Sequence, residues 1–199
     1  MNFTIGACRI TFSLFFFALV AVLLLFDSSG MVAAGLAAAA LHEVSHLGAM
    51  YAFGCMPERI NFNMFGIDIV RTSRPDHGYQ RDAAVSLAGP AANLLAAGLF
   101  SVLPWPMAQN LVLADWTLFL FNILPIEPLD GGQALYALLC IRWEPDTAAQ
   151  TVEIISFLVL LPLSAAGFWV LFRSPGNFTL LMVCCYLMFL LLFKKGKYF

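Results

Sequence analysis

The sequence predicts an all-α polytopic membrane protein, from its composition, its six apolar segments and the distribution of its positive charges. Hydrophobic residues make up 61% of the 199 residues and charged residues 11%, with a mean hydropathy of +0.86. A soluble domain carries about 25% charged residues, so this chain has too few polar residues to cover itself in water. The net charge of −2 gives no indication of nucleic-acid binding.

Six apolar segments approach the roughly 20 residues that a bilayer-spanning helix needs. They are predicted as helices at about 9–26, 31–53, 82–103, 108–125, 152–172 and 178–193. Arg9 before the first apolar run is typical of a signal peptide, but a second apolar segment follows after only Asp27–Gly30. A helical hairpin is therefore the better interpretation. With six helices, both termini lie on one side of the membrane.

The lysines and arginines give an independent test of this helix count. Nine of the ten fall on the side of the termini, namely Arg9, Arg59, Arg71, Arg74, Arg81, Arg142, Lys194, Lys195 and Lys197, and only Arg173 falls on the other. Lysine and arginine accumulate on the cytosolic side. We therefore expect a single integral-membrane domain over 1–199 in the cell membrane, with a cytosolic N-terminus and C-terminus.

The largest predicted cytosolic loop, at about 54–81, shows a period of two. Arg59–Met64 alternates apolar and polar residues, and Gly66 precedes the run Ile67–Val70. This pattern favours two short strands around a turn, a small membrane-associated β-hairpin. An interfacial loop with chance alternation is the alternative.

The pattern His42-Glu43-Val44-Ser45-His46 lies inside the second apolar segment. On a helix, residues i and i+4 point the same way, so His42 and His46 present two imidazoles to one metal ion. Glu43, on a neighbouring flank, can take a proton from a water that the metal activates. With three histidines, chance gives this pattern in roughly one shuffled sequence per thousand. A hydrogen-bonded polar cluster between helices is the alternative, but such residues in lipid are by default functional.

A catalytic zinc site usually has three protein ligands and one open position, so a third ligand must come from elsewhere. Asp130 is the best placed, because Pro125 and Pro128 must break the preceding helix and the carboxylate can then cap a helix starting at Gly131. A cap at the interface is therefore its alternative role. Asp115, in the fourth predicted helix, is interpreted as paired with a neighbouring polar group.

The other candidate ligands are weaker. His77 lies in a polar loop, where a solvated histidine is the simpler interpretation. The cysteines lie in or beside apolar runs without a CxxC pair and are odd in number, so we interpret them as small core residues rather than disulfides or ligands. They are Cys8, Cys55, Cys140, Cys184 and Cys185. For Cys140, metal ligation is the alternative.

Three motifs together resemble the site-2 protease family of intramembrane zinc metalloproteases. They are His42–His46, the Gly-Pro-x-x-Asn pattern within Ala88–Asn93, and the Asn-x-x-Pro and Leu-Asp-Gly-Gly patterns within Asn122–Gly132. They occur in the family's order and cover about 41–133, most of a catalytic core at about 31–141. The resemblance implies Zn²⁺ held by His42, His46 and Asp130, with Glu43 as the catalytic base. It implies active-site shaping or substrate binding by Asn93, Asn122 and Pro125; an interhelical hydrogen bond is the alternative for Asn93.

The six-helix plan resembles the sporulation pro-sigma-factor protease branch of that family, whose members carry a C-terminal cystathionine-β-synthase-type domain. This chain ends at Lys194–Phe199 without one, so we do not expect nucleotide regulation. The resemblance implies a membrane-associated protein substrate, such as a transcription-factor precursor, an anti-sigma factor or a remnant signal peptide. It is also compatible with an inhibitory membrane partner. The alternative outside the enzymes is a non-proteolytic metal-binding membrane protein or transporter subunit. The polar residues gather around one site rather than along several helices, which favours the protease.

Overall fold

The computed structural model describes residues 2–5, 8–57, 59–63, 66–70, 78–105, 107–174 and 176–193. Within these ranges the chain forms short strands near the N-terminus and in the predicted loop, and helices elsewhere. The elements are β1 (Asn2–Ile5), β2 (Cys8–Phe12), α1 (Leu14–Leu25), α2 (Met31–Ala52), β3 (Arg59–Asn63), β4 (Gly66–Val70), α3 (Tyr79–Ser101), α4 (Ala108–Asn122), α5 (Asp130–Cys140), α6 (Pro145–Arg173) and α7 (Thr179–Phe193).

The start of the first predicted helix, 9–26, was wrong, because its first residues belong to β2 and the helix begins at Leu14. β2 pairs in parallel with β3, with Arg9 opposite Arg59 and Phe12 opposite Phe62. These ladder bonds satisfy backbone groups that a helix would have satisfied internally, and the β-branched Ile10 and Thr11 suit a strand. The 12 residues of α1 rise about 18 Å.

The sheet contains four strands in the order β1-β2-β3-β4. β3 and β4 pair antiparallel, from Arg59 opposite Val70 to Asn63 opposite Gly66, in the segment where the sequence predicted two strands. β1 pairs antiparallel with β2, an addition that the alternation in the loop did not indicate. The strands β1 and β4 therefore form the two edges. Association of this sheet with a membrane stays a prediction.

Two helices in the described ranges are long and apolar enough to cross a bilayer, Tyr79–Ser101 and Pro145–Arg173, and Thr179–Leu192 is a shorter apolar helix. These are the segments predicted at 82–103, 152–172 and 178–193. The segment 31–53 forms the 22-residue α2, whose histidines and glutamate lower its mean hydropathy. The count of six spans stays a prediction.

The chain divides into two compact units, the first made chiefly of Met1–Gly78 and Ala88–Phe119 and the second of Tyr79–Leu87 and Leu120–Tyr198. The first contains a small-residue core of Ala34 and Ala38 on α2 and Ala114 on α4. Small residues let helix backbones approach closely. The second has a larger aliphatic core, made of Ile126, Leu129, Leu160, Leu187 and Leu191.

The chain between α4 and α5 is non-helical because of its prolines. The predicted helix 108–125 ends earlier, at Asn122, and α5 begins at Asp130. The prediction that Asp130 caps a helix starting at Gly131 was wrong by one position, because Asp130 is itself the first helical residue and the N-cap is Leu129, in extended conformation. A carboxylate in the first turn of a helix is stabilised by the helix dipole.

Two glycines let α5 start against this broken segment. A Cβ on Gly131 would overlap the Ile123 carbonyl, and a Cβ on Gly132 would overlap the Ile126 carbonyl. Neither carbonyl belongs to a flexible side chain, so neither can move away without a shift of the backbone. The pair of glycines therefore allows the close approach that fixes where α5, and with it Asp130, begins.

Ser156 of α6 satisfies the backbone of the broken segment. Its hydroxyl accepts a hydrogen bond from the Glu127 N–H at 2.8 Å and donates to the Val152 carbonyl at 2.6 Å. The side chain is fully buried. An unpaired N–H in such a place costs free energy comparable to a lost hydrogen bond, so Ser156 stabilises the path of the chain past Pro125.

We expect Ser156→Ala to lower the free energy of unfolding by about 1–3 kcal/mol, because it leaves the Glu127 N–H without its partner. Thr151→Ala is the matched control on the same helix, since Thr151 Oγ1 makes only an exposed bond to the Thr147 carbonyl at 2.8 Å. Thermal unfolding in detergent micelles measures both. Equal losses in the two variants would contradict a role for Ser156 in holding the segment.

Candidate metal centre

His42 and His46 are buried on one face of α2, each 6% exposed. Their Nε2 atoms lie 3.1 Å apart and their rings are nearly perpendicular, at 80°. Two nitrogens that bind a tetrahedral zinc at 2.0–2.1 Å stand about 3.3 Å apart. The two imidazoles therefore converge through the Nε2 atom of each ring, at close to the separation that a shared metal ion requires.

Asn93 of α3 fixes the orientation of the His42 ring. Its Oδ1 lies 2.6 Å from His42 Nδ1, and its Nδ2 donates to the Ala38 carbonyl at 3.1 Å and to Asp115 Oδ1 at 2.7 Å. Because both amide hydrogens point at oxygens, Oδ1 must face the histidine. His42 Nδ1 then carries the hydrogen, which leaves the Nε2 lone pair available to a metal.

Gly89 of α3 lies directly against the two imidazoles. A Cβ at this position would overlap His46 Nε2 and would stand 2.7 Å from both Cε1 and Nε2 of His42. Real Cβ atoms essentially never come so close. The site therefore needs a residue without a side chain here, and the buried Pro90 follows it in the same helix.

The acidic residues predicted for the site are both half-buried. Glu43 follows His42 on α2, and Asp130 is the first residue of α5. One ligand atom each from His42, His46 and Asp130 lie within 4.8 Å of one another. Two imidazoles and one carboxylate are a donor set that zinc accepts in catalytic sites, so the chemistry of these three residues fits the metal that the sequence implied.

The remaining predicted residues take different places. Asn122 is the last residue of α4 and Pro125 lies in the break that follows it, both half-buried. Cys140 packs in a hydrophobic cluster with Tyr136, Ala148 and Val152, the environment of a core residue. The predicted loop around His77 lies outside the described residues.

Two residues of this region were not assigned to the site from sequence. Gly89 was noted only as part of a motif, although a glycine before a proline inside an apolar helix was a signal that a close neighbour needs the space. Asp115 was expected to pair with a polar group, and the structure identifies that group as Asn93. Residue spacing alone does not show that the side of α4 carrying Asp115 faces Asn93 on α3.

Comparisons with known proteins find similarity to a curated protein and to a solved structure. The chain is 28% identical over 148 residues to stage IV sporulation protein FB of Bacillus subtilis (strain 168), a match that covers 68% of this chain and 48% of that protein. The chain thus spans about half the length of this curated relative. Its fold is similar to that of the site-2 protease from Methanocaldococcus jannaschii, with a TM-score of 0.68, 18% identity, and coverage of 99% of this chain and 95% of that one. A scan against protein-family models found no match.

Proposed function

We propose that this chain, which belongs to the site-2 protease family, is an intramembrane zinc metalloprotease that hydrolyses peptide bonds of membrane-associated proteins. The observation that carries the proposal is the convergence of His42 Nε2 and His46 Nε2 at 3.1 Å beside Asp130. Ionisable groups are costly to place in apolar segments, so their presence there indicates a function.

His42, His46 and Asp130 would hold the zinc ion. When bound, zinc supplies a Lewis acid that polarises the scissile carbonyl and acidifies water. Glu43 then takes the proton of the attacking water on its carboxylate and delivers it to the nitrogen of the leaving amine. Asn93 keeps His42 in the tautomer that leaves Nε2 free. The metal ligands and the residue that carries the proton are therefore different side chains.

The substrate must reach this site in an extended form, because a helix buries its own carbonyls in hydrogen bonds. Edge strands such as β1 and β4 can accept an extended segment through main-chain hydrogen bonds, and such bonding tolerates many side chains. Asn122 and Pro125, at the end of α4 and in the following break, would shape the site or hold the segment. Helix-breaking residues in the substrate should therefore favour cleavage.

The protein acts in the cell membrane in this proposal, as one protease domain with its catalytic core at about 31–141. The two long apolar helices support the location. The six-span topology with cytosolic termini follows from the charge distribution. A transcription-factor precursor is the proposed substrate class, with cleavage controlled by an inhibitory membrane partner.

Metal removal tests the proposal directly. We expect the purified protein to contain about one zinc per chain, to cleave single-span substrates in proteoliposomes, to lose cleavage with a chelator and to regain it with added zinc. His42→Ala combined with His46→Ala should lose the metal and the cleavage together. Cleavage that survives complete metal removal would refute the proposed mechanism, and a wild-type protein without zinc would refute the ligand assignment.

A further inference from the structure

We propose that Asp115 is a positioning residue of the metal centre, which acts through Asn93 to set the tautomer of His42; this inference rests on the proposed function. Asp115 lies on α4 and is fully buried. Its Oδ1 accepts from Asn93 Nδ2 at 2.7 Å. Within the described residues its Oδ2 has no hydrogen-bond partner, so its polar contact there is directed at Asn93.

The Asn93 amide has two orientations, and Asp115 favours one of them strongly. In the observed orientation, the amide nitrogen faces two oxygens, Asp115 Oδ1 and the Ala38 carbonyl. A flip would place the amide oxygen against both of these acceptors. It would also turn the NH₂ group toward His42 Nδ1, which would then have to accept, and the hydrogen of the neutral ring would move to Nε2. That nitrogen could no longer bind a metal.

A simple interhelical contact does not explain a carboxyl group here. A hydroxyl would link α3 and α4 at a lower cost of burial, and an acidic side chain is among the most expensive to place in an apolar segment. A carboxyl group always offers an acceptor oxygen to Asn93. The chain Asp115–Asn93–His42 therefore resembles the supporting shells that fix ligand orientation in metal sites, whose loss typically costs 10–100-fold in metal affinity.

The test compares Asp115→Leu, which removes the acceptor, with Asp115→Asn, which keeps a carbonyl oxygen of nearly the same shape. Zinc affinity is measured by chelator competition, and the His42 tautomer is read from ¹⁵N NMR of the metal-free, histidine-labelled protein. Thr117→Leu is the control on α4, because Thr117 is exposed and its hydroxyl donates to the Leu113 carbonyl of the same helix. We expect Asp115→Leu to weaken zinc binding by about 10–100-fold and to raise the fraction of metal-free protein in which His42 carries its hydrogen on Nε2. Asp115→Asn and Thr117→Leu should stay near the wild type.

A double-mutant cycle separates positioning from general stabilisation. In an Asn93→Ala background, Asp115→Leu should cause no further loss of zinc affinity, because the amide that links Asp115 to His42 has been removed. Additive losses would overturn the inference. So would wild-type zinc affinity in Asp115→Leu, or a loss in Asp115→Asn as large as that in Asp115→Leu. Each of these outcomes compares the zinc affinity of a variant with that of the wild type. If the wild type itself does not bind zinc, the proposed function is overturned instead.

Discussion

Glu43→Gln is expected to reduce substrate cleavage by at least about 10²–10⁴-fold, the usual contribution of general acid–base catalysis, while the zinc content stays near one per chain. Glutamine has the shape of glutamate but cannot take the proton of the attacking water. Glu43 is not one of the three residues whose ligand atoms converge, so the metal should remain. The measurement pairs the cleavage rate in proteoliposomes with metal analysis of the same preparation.

The matched control for this prediction is Glu153→Gln. Glu153 is exposed on α6, and the substitution changes charge and shape in the same way without touching the proposed site. It should keep wild-type cleavage. Cleavage retained in Glu43→Gln would remove Glu43 as the base. Loss of zinc in the same variant would instead indicate that the glutamate supports the metal and that the catalytic assignment needs another residue.

Residue spacing alone predicts best the part of the site that lies on one helix. Helical spacing places His42 and His46 on one face with Glu43 beside them, and α2 at Met31–Ala52 differs by one residue from the segment predicted at 31–53. Asp130 could be proposed because two prolines must interrupt the helix before it. A local rule thus fixes the two histidines relative to each other, whereas the place of Asp130 beside them depends on tertiary packing and was implied only by the family resemblance.

The residues that the sequence could not assign depend on contacts between helices. Asp115 accepts its hydrogen bond from a residue 22 positions away, and no periodicity indicates which face of α4 meets α3. The strand β2 was predicted as helix because it leads directly into the apolar run of α1, but it pairs with β1 on one side and with β3, about fifty residues later, on the other. Long-range pairing of this kind overrides local propensity.

Gly89→Ala is expected to lower zinc affinity by about 10–100-fold and cleavage with it, although the substitution adds only one methyl group. That carbon would stand 2.7 Å from His42 Nε2, where it overlaps the ligand nitrogens and the space that the metal needs. Helix propensity acts in the opposite direction, since alanine stabilises a helix by about 1 kcal/mol relative to glycine. The steric conflict prevails because the ring of His42 is held by Asn93 and cannot turn away without losing its 2.6 Å contact.

Gly98→Ala on the same helix provides the comparison that makes the Gly89 result decisive. A Cβ at Gly98 meets nothing within 4 Å, so this variant gains the helix propensity without the overlap and should bind zinc and cleave like the wild type. Zinc titration of both variants, with the thermal midpoint of the metal-free forms, distinguishes a blocked site from a damaged fold. Full zinc affinity in Gly89→Ala would mean that the two imidazoles do not bind metal through the converging nitrogens. Equal losses at both glycines would point to a general effect on α3.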